Sequence, residues 1–139
     1  MALFDAFRAS GSGMTLARKW MDAVGDNIAN INNVSRTDED AFRQRFVVAQ
    51  ADDYDGGHTA GSAGGVKVAG VAFGSGEGRL VYDPSNALAD DKGYVKVPDI
   101  DMNSQMGQLI VSQRAYQANA AVVERARASY EAAINIGAK

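Results

Sequence analysis

His58 is the single histidine of a 139-residue chain that has no cysteine. One copy therefore cannot assemble a Cys-His nucleophile pair, a thiolate zinc site or a multi-histidine metal cluster. A serine triad would need the imidazole held between a hydroxyl and a carboxylate. His58 instead stands in the glycine-rich run from Asp52 to Gly65 (DDYDGGHTAGSAGG), whose composition is that of a flexible loop with nothing to hold a ring. The Asp53-Tyr54-Asp55-Gly56 segment is shaped like part of a calcium loop. With Gly56 as the sixth position, however, Ala51 would be the first ligand and Ser62 the twelfth, where a bidentate Glu is required. Gly70, Gly74, Gly76 and Gly78 match neither phosphate-loop spacing, and no helical stretch follows them. They read as a hairpin turn over Gly74–Gly78. Asn33-Val34-Ser35 matches a glycosylation acceptor, but no secretory signal accompanies it. These residues point to no catalytic group, no metal and no cofactor, and the chain reads as a non-enzyme.

The chemistry on offer is packing, so the elements that carry it come next. Lys and Arg number 14 against 17 Asp and Glu, a net charge of −3, which gives no electrostatic reason to seek nucleic acid or anionic lipid. No window approaches the apolar length of a membrane span. The first dozen residues are interrupted by Asp5, Arg8 and Gly11, so a cleaved signal peptide is not expected.

Charge, glycine and proline divide the chain in three. Residues 35–99 hold 7 basic and 11 acidic side chains and both prolines, and 10 of the 15 glycines lie between Gly56 and Gly93. The helix-compatible sequence is thus at the ends. In residues 1–34, Leu3, Phe7, Met14, Ala17, Met21, Val24, Ile28 and Ile31 follow a 3-4 repeat broken only by Ser10, the a/d seam of a heptad. Gly11 and Gly13 weaken its start by roughly 1 kcal/mol each against Ala, which predicts a firm helix from about Ser12 or Met14. The Asn27–Asn33 run suits a left-handed helix exit. In residues 100–139, Met106, Leu109, Gln113, Tyr116, Ala120, Val123, Arg127, Tyr130 and Ile134 repeat the pattern, with Asp101 or Asn103 as N-cap.

Between them, Phe42–Gln50, Val66–Phe73, Arg79–Tyr82 and Tyr94–Val97 read as strands separated by turn residues. The expected fold is α+β. Long N- and C-terminal amphipathic helices (1–34 and 100–139) pack as a coiled-coil-like pair, forming one domain around a small β-rich insert (35–99). Trp20, Leu16, Ile110 and Val122 lie off the seams and widen the apolar faces beyond what one partner helix covers, which predicts intermolecular partners.

Gly13-Met14-Thr15 leading to Met21-Asp22-Ala23-Val24-Gly25-Asp26-Asn27-Ile28-Ala29-Asn30-Ile31-Asn32 resembles the N-terminal signature of bacterial flagellar axial proteins, the rod, hook and hook-associated subunits. Ser112-Gln113-Arg114-Ala115-Tyr116-Gln117-Ala118-Asn119 resembles their C-terminal signature. Gly65-Val66-Lys67-Val68, Leu80-Val81-Tyr82-Asp83-Pro84 and Gly93-Tyr94-Val95-Lys96-Val97-Pro98 are similar to proximal-rod subunits. The resemblance implies a structural subunit of the basal-body rod, exported through the flagellar type III apparatus without signal cleavage and assembled in the periplasm. It implies partners among proximal and distal rod subunits and copies of itself.

On that reading the subunit-interface residues are Met14, Met21, Val24, Ile28, Leu109, Tyr116, Val123 and Tyr130 for packing, with Asn27, Asn30, Arg114, Gln117 and Asn119 as polar groups that fix register. Helix capping is the competing account of Asn27 and Asn30. The competing function is a soluble helical adaptor or export-chaperone-like binding module that uses the same stripes to hold one partner reversibly.

Overall fold

The computed structural model describes residues 2–52 and 64–137. The elements are α1 (Ala2–Ala29), β1 (Arg45–Ala51), β2 (Val66–Phe73), β3 (Arg79–Tyr82), β4 (Tyr94–Val97) and α2 (Met102–Gly137). The fold is α+β: two long terminal helices, packed together, flank a small region of antiparallel strands. His58 and the loop around it, residues 53–63, lie outside the described residues.

Helix α1 starts at Ala2, some ten residues ahead of the expected firm start, and runs through Gly11 and Gly13 without a break. Tertiary packing overrides the propensity cost of the two glycines. Its end at Ala29 falls where the asparagines predict, but by a different device, since among the described residues no non-glycine residue has positive φ. The Asn30 side chain donates back to the Asp26 carbonyl at 2.8 Å. A tightened bond from the Asn33 amide to the Asn30 carbonyl then closes the exit. Helix α2 begins on Asp101 as expected, whose carboxylate accepts from the Ser104 amide at 2.8 Å.

The chain divides into two compact units. One comprises Met1–Lys19, Val48–Gly70 and Val111–Lys139, and the other Trp20–Val47 and Val71–Ile110. In the second unit β3 and β4 pair antiparallel in the register Arg79↔Val97, Leu80↔Lys96, Val81↔Val95 and Tyr82↔Tyr94. The alternation of strand side chains turns Val95 into the core and leaves Leu80 and Tyr82 outside. On the far edge of β4, Ser35 bridges Lys96 through two backbone bonds of 2.8 and 3.0 Å. That lays the segment after α1 along the strand and buries Ala41 beside it. Gly78, at φ +59°, enters β3 where an added Cβ would lie 2.5 Å from the Val97 carbonyl oxygen.

Two strand expectations need correction. β1 pairs with β2, and β3 with β4, so residues 74–78 do not form a β2–β3 hairpin turn. They run alongside residues 41–44, with Gly74 donating to the Gln44 carbonyl and Ala41 to that of Gly76. The Arg43 guanidinium reaches the Gly74 carbonyl at 2.9 Å and lies over the Phe73 ring. This irregular pairing is why β1 starts at Arg45 and not at Phe42.

Candidate assembly surfaces

In the second unit the helices meet around Asn27, which is 1% exposed. Its amide nitrogen donates to the Arg45 carbonyl and to Gln105 Oε1, both at 3.0 Å. Its amide oxygen accepts from the Arg45 amide at 2.8 Å. One side chain thus presents itself to β1 as a backbone would and ties α1 to α2 at the same time. Buried polar groups are stable only when their donors and acceptors are met, and Asn27 meets this by using both amide hydrogens and its oxygen. Asp26 pairs with the Arg45 guanidinium beside it. Seven residues before Asn27 on α1 and three after Gln105 on α2, Trp20 Nε1 donates to Gln108 at 3.3 Å. Trp20 with Gln108, then Asn27 with Gln105, gives an antiparallel run of the helices in this unit.

In the first unit the clasp is made by Ser12 and Gly13. The Ser12 hydroxyl donates to the Ala9 carbonyl at 2.8 Å and accepts from the Val66 amide at 3.1 Å, holding the start of β2 on α1. At Gly13 an added Cβ would lie 2.9 Å from the Asn119 carboxamide, so the glycine is what allows α2 to come this close. Asn119 in turn donates to the Ala115 carbonyl at 2.8 Å.

These contacts define the α2 seam, and it is offset from the apolar stripe expected from sequence. Gln105, Ser112 and Ala126 are buried, and Leu109, Tyr116, Asn119 and Val123 are half-buried, again at 3-4 spacing. Leu109, Tyr116 and Val123 are common to the two lists. The alternate positions shift by one residue, with Gln105, Ser112, Asn119 and Ala126 in place of Met106, Gln113, Ala120 and Arg127. Met106 and Ile110 are consequently exposed.

Of the other residues singled out, Val24 is buried and Met14, Met21, Ile28 and Asn30 are half-buried, while Arg114, Gln117 and Tyr130 are exposed. Arg114 and Gln117 make no side-chain hydrogen bond or ion pair among the described residues. Reasoning from apolarity missed Gln105, Ser112 and Ser12. The available signal was that Gln105 and Ser112 stand seven apart and interleave with Leu109 and Tyr116.

The β3–β4 connection carries the two carboxylates that are shifted among the described residues. Hydrogen bonds from the Ser85 and Asn86 side chains hold Asp83 below its ordinary value of 3.8. The Tyr94 amide, supported by that of Lys92 and the Thr37 hydroxyl, does the same for Asp90. Both are ordinary turn chemistry. Among the described residues no three His, Asp or Glu side chains could hold a metal ion. No helix among them is long and apolar enough to cross a membrane.

Large apolar side chains are abundant outside the seam: Phe46 and Phe73 on the β1–β2 ribbon, Leu80 and Tyr82 on β3, and Tyr130, Ile134 and Ile136 near the end of α2. A helical pair that keeps amides inside and carries apolar surface outside is built as a packing subunit. Residues 91–136 match the family described as Flagellar basal body rod FlgEFG protein C-terminal. The chain is 35% identical over 137 residues to the flagellar basal-body rod protein FlgC of Escherichia coli O6:H1, covering 99% of each chain. It is 35% identical to FlgC of Salmonella typhimurium and 28% identical to that of Bacillus subtilis, again with 99% of each chain covered. The chain belongs to the FlgC family, the structural proteins of the flagellar basal-body rod.

Proposed function

We propose that this chain is a proximal-rod subunit, a non-catalytic part of the drive shaft that assembles through its terminal helices with proximal and distal rod neighbours and with copies of itself. It reaches the periplasmic rod through the flagellar export apparatus without a cleaved signal peptide. The observation that carries this reading is the apolar surface left outside the seam, above all the end of α2, where Tyr130, Ile134 and Ile136 are about half exposed or more. Surface of that kind is characteristic of an interface that a neighbour covers. Met14, Met21, Val24 and Ile28 with Leu109, Tyr116 and Val123 then form the helical layer. Arg114, Gln117 and Tyr130 face the neighbours, Asn27 and Asn119 set the helix positions from within, and Asn30, bonded back to the Asp26 carbonyl, closes the end of α1.

Deletion of the gene in the source bacterium, followed by purification of hook-basal bodies with and without a plasmid copy, tests this. Loss of rods and motility, restored by the plasmid, with the chain present in the purified particles, is the expected result. A soluble chain bound to one partner and absent from basal bodies would establish the adaptor function instead.

A further inference from the structure

The rotation of α2 that puts Gln105 in the seam puts two methionines outside it. Met106 follows Gln105 by one residue and so stands about 100° round the helix from it, and Met102, one turn before Met106, lies within about 40° of it on the same face. Met102 is 40% exposed and Met106 46%, while Met14 and Met21 on α1 are half-buried. A thioether is a soft nucleophile, and its oxidation to the sulfoxide follows its exposure.

Met102 has a further neighbour that matters once its sulfur carries oxygen. In the second unit it lines an open cavity of about 450 Å³ together with Ile31, Asn32, Arg79, Asp99 and Asp101. The Asp101 carboxylate is committed to capping α2. The Arg79 side chain is exposed and has no hydrogen bond or ion pair among the described residues. Its guanidinium presents five N–H donors, more than a single carboxylate such as that of Asp99 takes up. A thioether accepts such donors only weakly, whereas a sulfoxide oxygen is a polar acceptor.

We propose that Met102 and Met106 are a sulfoxidation site of the free chain, oxidised by hydrogen peroxide ahead of Met14 and Met21, and that Arg79 holds the sulfoxide of Met102. In the step the sulfur lone pair attacks one peroxide oxygen, the S–O bond forms and the O–O bond breaks. The proton on the transferred oxygen passes to the departing hydroxide, which leaves as water, so sulfur is oxidised by two electrons and the peroxide is reduced by two. Met106 stands outside the cavity, and its sulfoxide is left to solvent. The two sulfoxides therefore differ in how readily a reductase draws them out: Met106 is restored quickly and Met102 slowly.

The purified full chain tests this. It is treated with limiting hydrogen peroxide, folded and in denaturing urea, and each methionine is followed by peptide mass spectrometry. In the folded chain Met102 and Met106 should oxidise roughly threefold or more faster than Met14 and Met21, and urea should remove the difference. Equal rates in the folded chain, or a difference that persists in urea, overturn the site. The oxidised chain is then given methionine sulfoxide reductases for both sulfoxide epimers, with their reductant. Met106 should be restored roughly threefold faster than Met102. That lag should vanish in Arg79→Leu and persist in Arg79→Lys, which keeps a cationic donor. Both variants should unfold at the temperature of the parent, since the side chain is exposed and unpaired. A lag absent from the parent, unchanged in Arg79→Leu or lost in Arg79→Lys overturns the role of Arg79.

Discussion

Replacing Asn27 by alanine removes three hydrogen bonds at once: two donated by its amide nitrogen, to the Arg45 carbonyl and Gln105, and one accepted from the Arg45 amide. A net hydrogen bond contributes about 1 kcal/mol, which sets the loss at about 3 kcal/mol. Gln105, 1% exposed, is left with an acceptor that water cannot reach, and Arg45 loses the partner of both its backbone groups. A loss of that size is a large share of the stability of a chain this small. The assay is urea unfolding of the purified protein followed by circular dichroism, with Asn27→Ala, Gln105→Ala and the double variant compared in a cycle. Coupling of about 1 kcal/mol or more between the two positions is expected, because each single change strands the other side chain. Purely additive effects, or a cost for Asn27→Ala below about 1 kcal/mol, would mean that the amide hub described here does not hold the helices.

Gly78→Ala forces a side chain into left-handed backbone and to within 2.5 Å of a carbonyl oxygen and 2.7 Å of Ala41, so it should cost about 2–4 kcal/mol in the same urea assay. Gly25→Ala is the contrast, since nothing lies within 4 Å of its Cβ position, and it should stabilise by up to about 1 kcal/mol through helix propensity. The carboxyls of Asp83 and Asp90 are depressed below 3.8, so the order they give the β3–β4 connection is present above pH 3.8 and is lost as pH falls through their lower folded values. The amide resonances of Lys92 and Tyr94, which donate to Asp90, should titrate with a midpoint below 3.8, and a midpoint at or above it would contradict the loop geometry.

Strands β2, β3 and β4 stand where alternating Val, Phe and Tyr between turn residues place them, because turn chemistry is local and legible. The Asp101 cap of α2 was equally readable. The start of α1 was not, since the penalty at Gly11 and Gly13 is a local quantity and the packing that overcomes it is not. The seam of α2 shows the same limit more sharply. Met106 looks like a better core residue than Gln105, yet Gln105 is chosen by Asn27, a residue 78 positions away. Periodicity found the period of the helix but not its rotation, because the rotation is set by two amides finding each other.

That choice of amides over methyl groups has a thermal consequence. The heat-capacity change on opening a contact is positive for apolar surface and negative for polar surface. Parting the helices at Asn27, Gln105, Ser112 and Asn119 therefore carries a smaller heat-capacity increment than parting a leucine seam of equal length. The free energy that closes this seam varies less steeply with temperature, so the helical pair keeps its grip in the cold, where a hydrocarbon seam weakens.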